Sequence, residues 1–115
     1  LMYLPPEAQD LLFDNITALS GPGSRVATEY HPDSGVALGE RAQQFNQRWT
    51  KLGCDINLSD LFYDGERNNV VDYLRAAGWT VTTRPRREFY ADYGRVFPDD
   101  PDSALRNIVT VTARR

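Results

Sequence analysis

The sequence predicts an α/β fold in which helices pack against one sheet. Segments with helical apolar spacing alternate with short runs rich in β-branched residues, and glycine or proline separates most of them. The chain has 115 residues, of which 41% are hydrophobic, which is enough for one modest core. We therefore interpret residues 1–115 as a single domain.

The first predicted element is a helix near the start of the chain. Leu1-Met2-Tyr3-Leu4 is an apolar run typical of the end of a buried strand, and Pro5-Pro6 stops it. Proline is favourable in the first turn of a helix, and Ser20-Gly21-Pro22-Gly23 ends the pattern. The apolar face between these signals contains Ala8, Leu12, Ile16 and Leu19. The pattern predicts a helix from residue 6 to residue 19.

A strand and a second helix are predicted in the middle of the chain. Arg25-Val26-Ala27-Thr28-Glu29-Tyr30 is a strand candidate that ends at a turn-rich loop beginning with His31-Pro32. Apolar residues then recur at helical spacing at Leu38, Ala42, Phe45, Trp49 and Leu52. Because Gly53 follows as a C-terminal cap, the pattern predicts an amphipathic helix over residues 38–52.

The last third of the chain is predicted to contain two helices and two strands. Asp64 is a candidate cap for a helix that ends at Gly78, and a second, short helix is expected over residues 86–93. Strands are expected at 79–83 and 108–113, with a loop at 98–102. The final strand can turn back antiparallel at one edge of the sheet, as mixed sheets allow.

Composition favours an ordinary cytoplasmic protein. Sixteen acidic residues against thirteen basic ones give a net charge of −3, so we expect neither a nucleic-acid partner nor a membrane partner. Cys54 is the single cysteine, which rules out an intrachain disulfide and fits a reducing compartment. Asp99, Asp100 and Asp102 lack the ligand spacing of a calcium loop, so no metal site is expected.

Three stretches of the sequence resemble one enzyme family. The first is the opening run with Pro5-Pro6-Glu7-Ala8 and the later Ser20-Gly21-Pro22-Gly23-Ser24-Arg25, and the second joins Arg48-Trp49 to Asp60-Leu61-Phe62-Tyr63. The third runs from Gly65-Glu66-Arg67 to Gly78-Trp79. Together they are similar to the C-terminal half of S-adenosylmethionine-dependent methyltransferases of the leucine carboxyl methyltransferase-like family.

This resemblance implies a Rossmann-like fold of seven strands, with the last strand antiparallel, of which the chain supplies roughly the second half. It also implies S-adenosylmethionine as the cofactor of the intact parent protein, and a carboxylate or another small acceptor. The sequence has no glycine-rich turn between a strand and a helix, so most of the cofactor site is expected upstream and the chain alone is expected to be inactive.

The resemblance and the fold class together give candidate site residues. Ligands of open α/β sheets lie beyond the carboxyl ends of the strands. By resemblance, Leu1, Met2 and Tyr3 flank the cofactor, while Glu29, Tyr30 and His31 line the substrate side. Methyl transfer by direct displacement requires no covalent enzyme intermediate, so no catalytic residue is assigned.

Two other functions are compatible with the sequence. The chain could be a non-catalytic α/β module that forms a homodimer, or pairs with a missing half, through an exposed sheet edge. Arg84, Arg86 and Arg87 beside Phe89 and Tyr90 could instead stack on bases, although a solvated helix start explains the same residues.

Overall fold

The computed structural model describes residues 1–32, 46–47, 50–51, 53, 57–61, 63, 66–98 and 107–115. Its helices are α1 (Pro6–Leu19), α2 (Val70–Ala76) and α3 (Arg86–Asp92), with a 3-10 turn at Leu58–Leu61. Its strands are β1 (Arg25–Tyr30), β2 (Thr80–Pro85) and β3 (Val109–Arg114). Within these ranges the architecture is the predicted α/β arrangement of a sheet with flanking helices.

The three described strands form one sheet in the order β1-β3-β2, and β3 is antiparallel to both neighbours. Arg25 and Thr80 both pair with Arg114, at the end of β3, so β1 and β2 run parallel to each other. The prediction that the last strand is antiparallel is confirmed. Its expected place at a sheet edge is wrong, because β3 lies between the other strands and bonds to both.

The core lies on one face of this sheet. Along β3, Val111 and Ala113 are fully buried, whereas Thr112 and Arg114 are exposed. This alternation is typical of a strand in a sheet with one face covered. The helices and the α2–β2 junction complete the buried cluster with Phe13, Val70, Leu74 and Trp79. Burying side chains of this size contributes about 1.5–3 kcal/mol each.

Polar contacts fix α1 along its length to the region around α2. Asn68 Nδ2 donates to Asp10 Oδ2 at 2.7 Å, and Tyr73 Oη donates to Asp14 Oδ1 at 2.8 Å. The pKa of Tyr73 is raised, mainly because its hydroxyl donates to the Asp14 carboxylate. Near the other end of α1, the indole Nε1 of Trp79 donates to the Thr17 hydroxyl at 2.9 Å. These acceptors recur at helical spacing, so they share one side of α1.

Several local predictions are confirmed by these bounds. Helix α1 and strand β1 begin and end where the sequence patterns placed them, and α2 is followed by Gly78 at a φ of 86°. The helix expected over 38–52 lies mostly outside the described residues. Asn46, Gln47, Thr50 and Lys51 from it are helical, and Gly53 follows at a φ of 82°. Residues 99–102 of the expected loop also lie outside the described ranges.

Two local predictions are wrong. Residues 1–4 form a turn rather than the end of a strand, with the amide of Leu4 donating to the carbonyl of Leu1 at 2.9 Å. Their apolar character reflects packing instead, since Leu1 lies against the core. The cap of α2 is Asn69, whose Oδ1 accepts from the amides of Val71 and Asp72. Asp64, the predicted cap, lies outside the described residues.

Among the helices that the structure describes, none is long and apolar enough to span a bilayer.

Candidate functional site

The carboxyl ends of β1 and β2 meet at one end of the sheet, and α2 begins there too. Tyr30 and Pro85, the last residues of the two strands, both pair with Val109. Asn69 Nδ2 donates to the Tyr30 hydroxyl at 3.1 Å, which joins the start of α2 to the end of β1. We define the carboxyl rim as residues 1–4, 30–31, 57–61, 63 and 67–69. It is the part of the fold where ligands of α/β sheets bind.

Arg67 is the main connector of the carboxyl rim. Its Nη1 donates to the carbonyl of Leu1 and to Gln9 Oε1, both at 3.3 Å. Its Nη2 donates to the carbonyl of Leu4 at 3.2 Å and to that of Tyr63 at 3.4 Å. One half-buried guanidinium therefore joins the 1–4 turn, α1 and the segment that precedes α2.

Gln9 orients this connection from within α1. Its side chain is 1% exposed, and its Nε2 donates to the backbone carbonyl of Asn68 at 3.1 Å. The amide is thereby held with Oε1 directed at Arg67. Both ends of a buried amide are satisfied, as the cost of an unpaired buried polar group requires.

An open cleft of about 340 Å³ lies on the carboxyl rim, and the described residues that line it are Tyr3, Asp60, Leu61 and Tyr63. Tyr3 is 57% exposed and Tyr63 50% exposed, so both rings are available to a ligand. The single carboxylate in this lining is Asp60, whose Oδ1 accepts from Asn57 Nδ2 at 2.7 Å. The volume of the cleft falls at the small end of the range for ligand pockets. Aromatic walls with few polar groups are typical of such pockets.

Of the three residues predicted on the cofactor side, Tyr3 lines this cleft. Leu1 and Met2 precede Tyr3 in the same turn and are not in the described lining. The carbonyls of Leu1 and Leu4, on either side of Tyr3, both accept from Arg67. No group of three His, Cys, Asp or Glu side chains within the described ranges could hold a metal ion.

The residues predicted on the substrate side do not all lie on one face of β1. Tyr30 and the half-buried His31 lie on the carboxyl rim, and Tyr30 also packs against the core. Glu29 points to the opposite face of β1, since successive side chains of a strand alternate, and it forms an ion pair with Arg86 at the start of α3. Glu29 and Tyr30 therefore cannot line one pocket wall in this conformation.

The basic and aromatic cluster at the junction of β2 and α3 packs on itself. Arg84 Nη1 lies 2.8 Å from Asp92 Oδ2 and its Nε lies 3.5 Å from Glu88 Oε2. The same guanidinium lies 4.5 Å from the centre of the Phe89 ring. Its pKa is raised, chiefly by the hydrogen bond with Asp92. Two carboxylates and a ring of this chain thus already occupy the Arg84 guanidinium.

Sequence reasoning gave no role to four residues of the carboxyl rim: Asp60, Tyr63, Arg67 and Asn69. For Asn69 a signal was present, because asparagine before an apolar helical face is a strong N-cap. Arg67 and Tyr63 occur in stretches with family likeness but have no local pattern of their own. Arg67 and Leu1 are 66 positions apart in the sequence, and local sequence patterns do not predict contacts over such a separation.

The described residues thus form an α/β fold with an antiparallel last strand and an open cleft on the carboxyl rim. No family model matches the chain. It is 69% identical over 113 residues to a protein of Mycobacterium marinum that is named as a candidate S-adenosyl-L-methionine-dependent methyltransferase. Similarly named proteins of Mycobacterium avium and Mycolicibacterium smegmatis are 64% and 56% identical over 115 and 120 residues.

These alignments cover 98 to 100% of the chain but only 37 to 40% of each relative. The chain is thus homologous, over nearly its whole length, to one segment of longer proteins named as candidate methyltransferases. Their shared name gives S-adenosylmethionine as the cofactor of those proteins.

Proposed function

We propose that this chain is the C-terminal half of an S-adenosylmethionine-dependent methyltransferase of the leucine carboxyl methyltransferase-like family. The whole protein would be cytoplasmic and would transfer a methyl group to a carboxylate or another small acceptor. The observation that supports a methyltransferase is the 69% identity, over 98% of the chain, to a longer protein named as a candidate S-adenosyl-L-methionine-dependent methyltransferase. The leucine carboxyl methyltransferase-like family is proposed from the sequence resemblance alone.

The geometry of the described residues supports this proposal. The antiparallel last strand is what the family resemblance implies for the end of the sheet. The cleft lies beyond the carboxyl ends of the parallel strands, which is where an α/β enzyme binds its ligands. The 1–4 turn, proposed to flank the cofactor, contributes Tyr3 to that cleft.

The chemistry requires alignment more than reactive side chains. When bound, S-adenosylmethionine would supply an electrophilic methyl group: the acceptor oxygen or nitrogen would bond to that carbon in line as the carbon–sulfur bond breaks, and S-adenosylhomocysteine would leave as a neutral thioether. Tyr3, Leu61 and Tyr63 would form walls that orient the acceptor and exclude water. If the acceptor is a hydroxyl or an amine, it must also lose a proton, and the Asp60 carboxylate is the described group of the cleft that could accept it.

Most of the cofactor site is proposed to lie in the part of the parent protein that this chain does not include. The chain lacks a glycine-rich turn between a strand and a helix, and Leu1, Met2 and Tyr3 would contribute only one edge of the site. The 115-residue chain alone should therefore be inactive.

A calorimetric titration of S-adenosylmethionine tests the proposal directly. The full-length protein and the 115-residue chain would be titrated side by side, with adenosine as a control for binding of the nucleoside alone. Binding by the full-length protein but not by the chain supports the proposal. Absence of binding by both would overturn the assignment as a methyltransferase.

A non-catalytic module is the second candidate function, and one observation favours it. Within the described ranges β1 pairs only with β3, so no described strand covers its outer edge. Such an edge is a site of pairing with another chain or with the rest of the parent protein. Light scattering distinguishes the two: a dimer of the 115-residue chain, together with no S-adenosylmethionine binding by the full-length protein, would favour the module.

A further inference from the structure

We infer that Arg67 is a positioning residue for the cofactor side of the cleft, an inference that rests on the proposed function. Its guanidinium would not contact the reacting atoms. It would hold the 1–4 turn and the Tyr63 backbone in the geometry that binds S-adenosylmethionine.

The contacts of Arg67 converge on the two sides of the cleft. Its Nη2 donates to the Leu4 carbonyl at 3.2 Å and to the Tyr63 carbonyl at 3.4 Å, and Nη1 reaches Leu1 at 3.3 Å. Tyr3 lies between Leu1 and Leu4 in the turn. The backbone on both sides of Tyr3 and that of Tyr63 itself are therefore tied to a single planar group.

Within the described residues, the 1–4 turn is held by its own backbone, by apolar packing and by Arg67. The Leu4 amide donates to the Leu1 carbonyl, and Leu1 packs against the core. Residues 1–4 are in no strand, so the sheet ladder does not constrain them. Hydrogen bonds from a charged donor are stronger than those between neutral groups. Arg67 is therefore a charged restraint that ties this turn to α1 and to the Tyr63 backbone.

The geometry of the Arg67 side chain contributes to this restraint as much as its charge does. A guanidinium presents a rigid fork of donors and can reach carbonyls on several segments at once, whereas the lysine ammonium is a compact point charge. Arg67→Lys should therefore keep the charge but lose part of the restraint. A displacement of about 1 Å in the residues of a binding site can greatly reduce how well the site aligns its ligand.

The test is the affinity of the full-length protein for S-adenosylmethionine, measured by calorimetry. We expect Arg67→Ala to weaken binding by about tenfold or more, which corresponds to about 1.4 kcal/mol, and Arg67→Lys to fall between it and the unmodified protein. Arg75→Ala is the matched control, because Arg75 is exposed on α2 and its described ion pair is with Asp72 at 3.7 Å. It should bind as the unmodified protein does.

A second control separates positioning from loss of stability. Thr17→Val removes the acceptor of the Trp79 indole N–H near the C-terminal end of α1, so it should lower the melting temperature without changing affinity. If Arg67→Ala retains full affinity while the unmodified protein binds, the positioning role is overturned. If Thr17→Val loses as much affinity as Arg67→Ala, the effect is one of stability and the inference also fails. If the unmodified full-length protein does not bind, the proposed function itself fails.

Discussion

The core face of the sheet and the carboxyl rim are built from different interactions. The core face consists of apolar residues from α1, α2 and β3, of which Phe13, Leu74 and Val111 are at most 1% exposed. On the carboxyl rim, Tyr3, Leu61 and Tyr63 are about half exposed, and the segments are joined by hydrogen bonds from Arg67 and Asn69. Stability is concentrated in the first region, and the groups available to a ligand are concentrated in the second.

This difference predicts which substitutions should affect stability and which should affect ligand affinity. Substitutions in the core should lower the free energy of unfolding without altering the chemistry of the cleft. Substitutions on the carboxyl rim should alter ligand affinity and change stability less. Stability and ligand affinity are therefore divided between the core face and the carboxyl rim.

Leu74→Ala should have the largest effect on stability. The side chain is fully buried between α2 and the sheet, so truncation removes apolar contacts and leaves a cavity. We expect the free energy of unfolding, measured by urea denaturation, to fall by about 2–5 kcal/mol. Leu61→Ala is the matched control on the carboxyl rim, where Leu61 is 47% exposed, and should cost less than about 1 kcal/mol. Equal losses would contradict the division.

Thr17→Val should destabilise the fold by about 1–3 kcal/mol, because it leaves the Trp79 indole N–H without its acceptor. Trp79 is only 4% exposed, so water does not readily replace the hydroxyl. Thermal denaturation measures the loss. Thr112→Val, at an exposed position of β3, is the control. A Thr17→Val effect no larger than that of the control would show that the bond contributes nothing.

Asn69→Ala should cost about 1 kcal/mol by removing the N-cap of α2. Asn69→Asp sharpens the comparison, since aspartate caps as well as asparagine but cannot donate to the Tyr30 hydroxyl as Nδ2 does. We expect the aspartate variant to keep most of the stability in urea denaturation. A loss as large as that of alanine would mean that the link to Tyr30, rather than the cap, is what stabilises α2.

Tyr73→Phe should have the smallest effect, and one that depends on pH. The folded pKa of Tyr73 is raised above its ordinary value of 10.0 because its hydroxyl donates to Asp14. This contribution to stability is fully present below pH 10 and is lost as pH rises through the folded pKa. The difference in melting temperature between the two proteins should therefore shrink above pH 10. A melting-temperature difference that does not change with pH would contradict the stabilising role of the Tyr73–Asp14 hydrogen bond.

The sequence predicted the elements whose signals are local. Proline at the first turn and glycine after the last periodic residue define α1 in the sequence, and a short run between Gly23 and the turn-rich loop after Tyr30 defines β1. It could not place β3 between β1 and β2, because strand order depends on contacts that no local pattern encodes. Residues 1–4 illustrate the same limit. An apolar run signals burial, but only the neighbouring structure decides between a strand and a turn.

The candidate site was predicted less completely than the fold. The rule that ligands bind beyond the carboxyl ends of strands pointed to Tyr3, which does line the cleft. The family resemblance also suggested Glu29, although alternation along β1 turns that side chain to the opposite face and toward Arg86. Arg67 carries no local signal for its role, because its partners at Leu1 and Leu4 are more than 60 positions away.

The proposed function requires the carboxyl rim to contact S-adenosylmethionine in the full-length protein. Ultraviolet photolabelling with methyl-labelled S-adenosylmethionine, followed by tryptic peptide mapping, detects such a contact. We expect label in the peptide that ends at Arg25, which contains Tyr3, or in the one that ends at Arg67, which contains Tyr63. Excess unlabelled cofactor should abolish it. Label confined to peptides that contain neither tyrosine would contradict the claim.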